Sequence, residues 1–518
     1  MMQRVALTGV RMLQSLSHRI SVVLMYALLI LLAVHVSAVC LDFVACVPYP
    51  YELNYGEGIV WQQAALIPGP RMYNASQTLP FIVFHYPPLY HLFARAALLV
   101  EPNFLAAGRL VSVISTLMIA PVVAGLVLIS VRPGNRHLKY INIRSAVAAG
   151  LLVLCLHAVH SWGLLMRVDM LAVMLGMSGL LLGAWADGRF AGTAIALLLC
   201  VASVFTKQTQ LPTGIAVFVV AVLRNPRAAL GAATLAGAVG LAVLGFLQRQ
   251  TEGGFLDNIV GFNINRFAPV QALVTVYTEY TSVPLMGFMV ACAIAVLHSL
   301  RRHSDGAPWQ GAAGRWIVGI RAEDRAISAR RMLLLYSLLS SIMLVSIFKS
   351  GSDYNYFIPC LCAGCMLIGV RLCDLALDAR RMVACLCLLL LCILPLPFRL
   401  LSDQALQQET EQQAALVRRI AAADRPVASE DMTLLMLAGK PVIFEPAIVA
   451  ELASLGRWDE TPLIKMIRTG GFAFLVTVGD DQGGNARRTA AVDAAMREVY
   501  PHVEQVTRKV WVHMLTSD

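Results

Sequence analysis

Long apolar runs alternate with short polar breaks along most of this chain. A helix that crosses a bilayer needs about 20 predominantly apolar residues. The pattern predicts eleven spans, over 20–46, 105–130, 145–161, 169–186, 190–205, 209–223, 228–247, 283–299, 332–348, 356–372 and 382–398. A further apolar stretch, Pro88–Val100, reads as a helix lying at the membrane surface. Arg4, Arg11 and Arg19 precede the first run, which is longer than the apolar part of a cleavable signal and lacks a small-residue cleavage site, so it reads as an uncleaved anchor. Lys and Arg gather on the cytoplasmic side of membrane proteins. With the N-terminus placed there, the cytoplasmic connections hold twenty Lys and Arg against seven in the outer loops. Counting Pro88–Val100 as a full span would invert every later loop and destroy that asymmetry.

Three outer segments follow: a first loop at 47–104, a loop at 248–282, and everything after the last span. The membrane module is therefore 1–398 and the outer domain 399–518. In the latter, strand-like and helical runs alternate from Val427 to Met514, and Gly439, Gly456 and Gly470 sit where helix C-caps belong. That pattern predicts a small α/β domain.

Composition agrees. The 518 residues are 58% hydrophobic and 14% charged, with a net charge of +10 and a mean hydropathy of +0.69. Soluble domains carry about 25% charged residues. The basic excess belongs to the cytoplasmic connections, so it is an orientation signal and not a nucleic-acid surface. The cysteines fall almost entirely in apolar runs; Cys362-x-x-Cys365 has metal or redox spacing but lies in one of them and reads as helix packing.

The first outer loop carries the sharpest signal. Tyr51-Glu52-Leu53-Asn54-Tyr55-Gly56-Glu57-Gly58 opens a short amphipathic helix; Gly69-x-x-x-Tyr73 and Tyr86-Pro87-Pro88-Leu89 follow. On spacing alone, Glu57 is either a reactive carboxylate or a solvated acid at a helix N-terminus. Together these motifs resemble the first periplasmic loop of GT-C membrane glycosyltransferases, near the protein O-mannosyltransferase and lipid A aminoarabinose transferase group. That family usually shows an Asp-Glu pair here, whereas this chain has Gly56-Glu57 with Glu52 upstream. The resemblance implies a GT-C-like polytopic α-helical membrane protein. It implies an inverting transfer of a sugar from a polyprenyl-phosphate donor to an envelope glycan, lipid or protein, at the periplasmic face of a bacterial inner membrane. Glu57 inherits the acid position, and Glu52 is the second candidate catalytic acid.

Such a reaction needs cations at the leaving phosphate. Ionisable residues within a membrane are costly and point to function. The candidates are Arg71, Lys207, Arg109, Arg167, Arg266 and Lys349. Lys207 stands in a tight outer turn and could equally be a snorkelling interfacial lysine. Arg167-Val168-Asp169 could be a local ion pair. Candidate sugar or acceptor contacts are His85, Tyr86, Asp169, Asp353, Asn355 and Tyr356. No metal site, cofactor or nucleic-acid partner is expected; membrane lipids and the donor are the expected partners. A secondary transporter or flippase, an envelope scaffold, and a polymerase or ligase using a diphosphate-linked donor remain alternatives.

Overall fold

The computed structural model describes residues 2–74, 76–132, 136–263, 265–280, 325–393, 403–479 and 487–515. Helices α1 (Met2–Cys46), α2 (Gly56–Leu66), α3 (Leu89–Ala97), α4 (Phe104–Ile129), α5 (Arg136–Leu154), α6 (His157–Gly163), α7 (Asp169–Ala186), α8 (Phe190–Val204), α9 (Leu211–Arg224) and α10 (Pro226–Gln250) lead into the helices Arg325–Met343, Ile358–Asp374 and Ala379–Ile393. Six described helices are long and apolar enough to cross a membrane, and a seventh span results if the bent pair α5–α6 counts as one. Helices α8 and α9 are apolar but shorter. The expected eleven spans are therefore not reproduced as a count, and 283–299 lies outside the described residues.

The bundle centres on α7, which packs on α4, α8 and α9, while α1 packs on Ala379–Ile393. Three local features set up the loop-bearing end. The Asn103 side chain caps α4 by accepting from Leu105 N (3.0 Å) and Ala106 N (3.1 Å), which starts α4 where the first loop ends. The chain bends by 62° between α5 and α6. That bend turns Trp162 toward the start of α7. His160 Nε2 meets Asp42 Oδ2 at 2.9 Å and ties α6 to α1 inside the bundle, so both costly polar groups are partnered.

The outer domain is α/β. Its four-stranded sheet has the order β1-β2-β4-β3, where β1 is Ala428–Ser429, β2 is Phe474–Val478, β3 is His502–Gln505 and β4 is Val510–Met514. Strands β1 and β2 are parallel; β4 runs antiparallel to both β2 and β3. Gly439, Gly456 and Gly470 take left-handed φ of 66°, 66° and 64° after their helices. The helix Asp403–Ala422, which precedes the sheet, and β3 were not expected, and Lys440–Phe444 forms no strand beyond one bridge, Phe444 to Phe81.

That bridge is part of a broad seam between the first loop and the domain. Phe81 stacks on Trp458 with centroids 5.5 Å apart, and Trp458 Nε1 donates to Gln77 O (2.9 Å). Phe81 and Val83 join the domain's own apolar core. The domain thus packs directly onto the loop that carries the candidate motifs.

Candidate active site

Two clusters form where the first loop, the helix ends and the outer domain meet. One is closed. Glu57 is fully buried near the start of α2. Its carboxylate accepts from Arg109 Nε (2.8 Å), Arg109 Nη2 (2.8 Å), Leu53 N (2.7 Å) and Met166 N (2.8 Å). The rest of the Arg109 guanidinium donates to the carbonyls of Cys46 (3.1 Å), Tyr49 (2.5 Å) and Tyr51 (2.7 Å). A carboxylate accepting four hydrogen bonds, two from a cation, has no lone pair directed at a substrate hydroxyl. The base role expected of Glu57 finds no support in this geometry, nor does the phosphate role of Arg109. Together they weld the first loop to α4 and to the turn before α7.

Glu52 lies within electrostatic range of Asp431 of the outer domain. Burial, then the Asp431 charge, raises Glu52 well above the ordinary carboxylate range; burial also pushes Asp431 up to about 6. A carboxyl held toward its neutral form is not a free carboxylate base.

The other cluster is built around Asp169, the first residue of α7. Its Oδ1 accepts from Lys207 Nζ (2.5 Å) and Asn355 Nδ2 (2.9 Å), and its Oδ2 from Trp162 Nε1 (3.0 Å). Lys207 lies 4.7 Å above the Tyr356 ring. Burial disfavours the Lys207 charge, yet Asp169 outweighs it and holds the ammonium above its ordinary pKa. Arg167 sits over the Trp162 ring at 5.8 Å. Asp353, which also caps the next turn through Tyr354 N (2.8 Å), lies within electrostatic range of Arg167. The Tyr86 and Tyr356 phenols lie within electrostatic range of Lys207. Lys349 Nζ donates to Asn263 O (3.0 Å) and Oδ1 (2.8 Å). Burial and the nearby Lys207 charge pull Lys349 down to about 8. Buried Arg167 Nε and Asn355 Oδ1 have no hydrogen-bond partner among the described residues, so the cluster has polar capacity to spare for a ligand.

The structure thus gathers Arg167, Lys207, Lys349, Asp169, Asp353, Asn355, Tyr86 and Tyr356, with His85 bordering them through a carbonyl that accepts from Gln208 Nε2 (3.0 Å) and Asn263 Nδ2 (3.1 Å), and it sets Arg71 and Arg266 apart. Arg71 is exposed on the loop. Arg266 pairs with Glu451 of the outer domain (3.2 Å). His85 turns its Nε2 to Glu445 of the same domain (3.2 Å). Sequence reasoning did not single out Glu445 or Trp162. Glu445 precedes Pro446 and looks like an ordinary helix cap, which it also is, through Ile448 N (3.3 Å); nothing in the sequence brings it to His85. Among the described residues no three His, Cys, Asp or Glu side chains converge as a metal site.

Gly56 makes room for the cluster. A Cβ there would stand 1.0 Å from Arg167 Nη1. Gly56→Ala is therefore expected to push the guanidinium aside and cut turnover about tenfold or more, with little loss of thermal stability, because a flexible side-chain tip yields before backbone does. Parallel activity and unfolding assays check this.

No protein-family profile and no curated protein sequence matches the chain. Solved structures share its fold, among them two of one protein. ArnT from Cupriavidus metallidurans bound to undecaprenyl phosphate aligns with a TM-score of 0.57 at 12% identity, over 94% of this chain and 98% of that one. The apo state of the same protein aligns with a TM-score of 0.53 at 14% identity, over 93% and 97%. The chain shares the fold of these structures over nearly its whole length.

Proposed function

We propose that this chain is a membrane glycosyltransferase that moves a sugar from a polyprenyl-phosphate donor to a hydroxyl of an envelope acceptor, at the periplasmic face of a bacterial inner membrane. The observation that carries the reading is the set Arg167, Lys207 and Lys349 beside Tyr86 and Tyr356, at the loop-bearing end of an apolar bundle. Three cations facing two carboxylates, Asp169 and Asp353, leave a net positive site for one phosphate. Undecaprenyl phosphate bound to the ArnT of the same fold supports the donor class.

In this reading the phosphate leaves the anomeric carbon carrying developing negative charge, and preorganised cations stabilise it without reorganising. Lys207 supplies a compact charge fixed by Asp169; Arg167 supplies a planar donor fork. Asn355 and Asp353 line the sugar side. The Glu57–Arg109 joint fixes the backbone at Leu53 and Met166, and so sets where Arg167 stands.

The Lys349 shift gives a pH dependence. A lysine lowered to about 8 is charged below that value and neutral above it. Affinity for polyprenyl phosphate is expected to fall several-fold as pH rises through about 8, and Lys349→Arg should flatten that fall, since Arg stays charged. Titrating binding across pH 6.5–9.5 checks the slope.

The test of the reading is transfer itself. Purified protein in bacterial-lipid nanodiscs is incubated with a panel of radiolabelled polyprenyl-phosphate sugars and a bacterial envelope extract. Consumption of one donor with release of polyprenyl phosphate is expected. If no donor is consumed while undecaprenyl phosphate fails to bind, the proposal falls.

A further inference from the structure

With Glu57 closed off and Glu52 held toward its neutral form by burial, the reaction lacks an evident base. We propose that His85, oriented by Glu445 of the outer domain, is the general base that takes the acceptor's hydroxyl proton. This rests on the glycosyltransferase reading above.

The imidazole is held at one nitrogen and open at the other. His85 Nε2 lies 3.2 Å from Glu445 Oε2. That carboxylate is buried, and its other oxygen accepts from the Tyr55 hydroxyl (2.8 Å). Oε2 also accepts from Ile448 N (3.3 Å); with that oxygen acting as acceptor, Nε2 carries the proton and donates it, and Nδ1 keeps its lone pair. Among the described residues the ring's hydrogen bond is the one at Nε2, and none is made at Nδ1. A nitrogen base held in one tautomer by a buried acid is the arrangement that proton abstraction requires.

Its location is equally specific. The His85 carbonyl is clamped by Gln208 Nε2 (3.0 Å) and Asn263 Nδ2 (3.1 Å). Gln208 follows Lys207 in the chain, and Asn263 holds the Lys349 ammonium through two acceptors. The residues that position His85 are thus the neighbours or partners of two phosphate-site cations. Among the described residues, the titratable and charged groups around the ring include Glu445, Tyr55 behind it with Arg487 4.1 Å over its ring, and the adjacent Tyr86, whose ring centroid lies 6.2 Å away.

In the step, the acceptor oxygen bonds to the anomeric carbon as its proton passes to Nδ1. The bond from that carbon to the phosphate oxygen breaks, and its electron pair leaves with the polyprenyl phosphate. The imidazolium, stabilised by Glu445, then releases its proton to water. The domain that packs over the first loop would thereby supply the partner of the base.

The experiment compares the wild type with His85→Gln, His85→Ala, Glu445→Gln and Glu52→Gln in nanodiscs, measuring turnover and undecaprenyl phosphate binding separately. His85→Gln is expected to lose about 10²–10⁴-fold in turnover with donor-phosphate affinity within about threefold of wild type. The wild-type pH–rate profile should show an acid limb that is absent from the residual His85→Gln activity and displaced in Glu445→Gln. Added imidazole should restore part of the His85→Ala rate. A wild-type profile with no acid limb overturns the inference, whatever the variants' folding. So does near-normal turnover in His85→Gln, or a turnover loss matched by lost binding, or loss in Glu52→Gln alone. Absence of transfer by the wild type sinks the glycosyltransferase reading instead, so the two failures are distinguishable.

Discussion

Lys207→Met is expected to lower sugar transfer by about 10²–10³-fold, the cost of removing one preorganised donor from a developing oxyanion, and to weaken undecaprenyl phosphate binding with it. The same change leaves Asp169 buried with Asn355 and Trp162 as neutral partners but no cation. Breaking a buried pair from one side costs about 3–5 kcal/mol, so loss of activity alone would be ambiguous. The double variant Lys207→Met/Asp169→Asn resolves it. Neutralising the orphaned acid should recover most of the thermal stability while transfer and binding stay low. Recovery of transfer together with stability would show that Lys207 supports the fold and does not meet the phosphate.

Glu57→Gln and Arg109→Met are each expected to destabilise the protein by about 3–5 kcal/mol, again because one change strands the buried partner. Here an apolar double replacement should not rescue. Glu57 also satisfies the N–H groups of Leu53 and Met166, and Arg109 satisfies three carbonyls. Glu57→Leu/Arg109→Met would leave those five backbone groups unpaired, each at a cost of about 1–3 kcal/mol. Unfolding monitored in detergent separates this from a catalytic role: a reactive Glu57 would give a stable, inactive Glu57→Gln, whereas a joint gives an unstable one.

These two clusters show what the sequence could and could not tell. Periodic apolar runs made most spans legible, because a helix in lipid must satisfy its own backbone and cover itself with apolar side chains. The scarcity of outward cations drew attention to Lys207, Arg167 and Lys349, which the fold then brings together across more than 180 residues of chain. The same scarcity drew Arg109 into the phosphate set, and there it misled. An intramembrane arginine signals an important partner but not which one, and the partner proved to be Glu57. The GT-C resemblance rested on Glu57 as an acid at a helix start; burial, visible only in three dimensions, determines whether that acid is reactive or saturated. Glu445 was invisible for a different reason. As a Glu before Pro446 it has a sufficient local role as a helix cap, and its contacts with Tyr55 and His85 depend on how the outer domain packs onto the first loop.

Arg167, Lys207 and Lys349 are expected to hold the lipid-linked phosphate. A cryo-electron microscopy structure of the protein in nanodiscs with undecaprenyl phosphate tests it most directly. Phosphate density is expected within hydrogen-bond reach of Lys207 and Arg167, beside Tyr86 and Tyr356, with the Glu57–Arg109 pair unbroken. Phosphate density seated on Arg71 or Arg266, or on Arg109 released from Glu57, would contradict it.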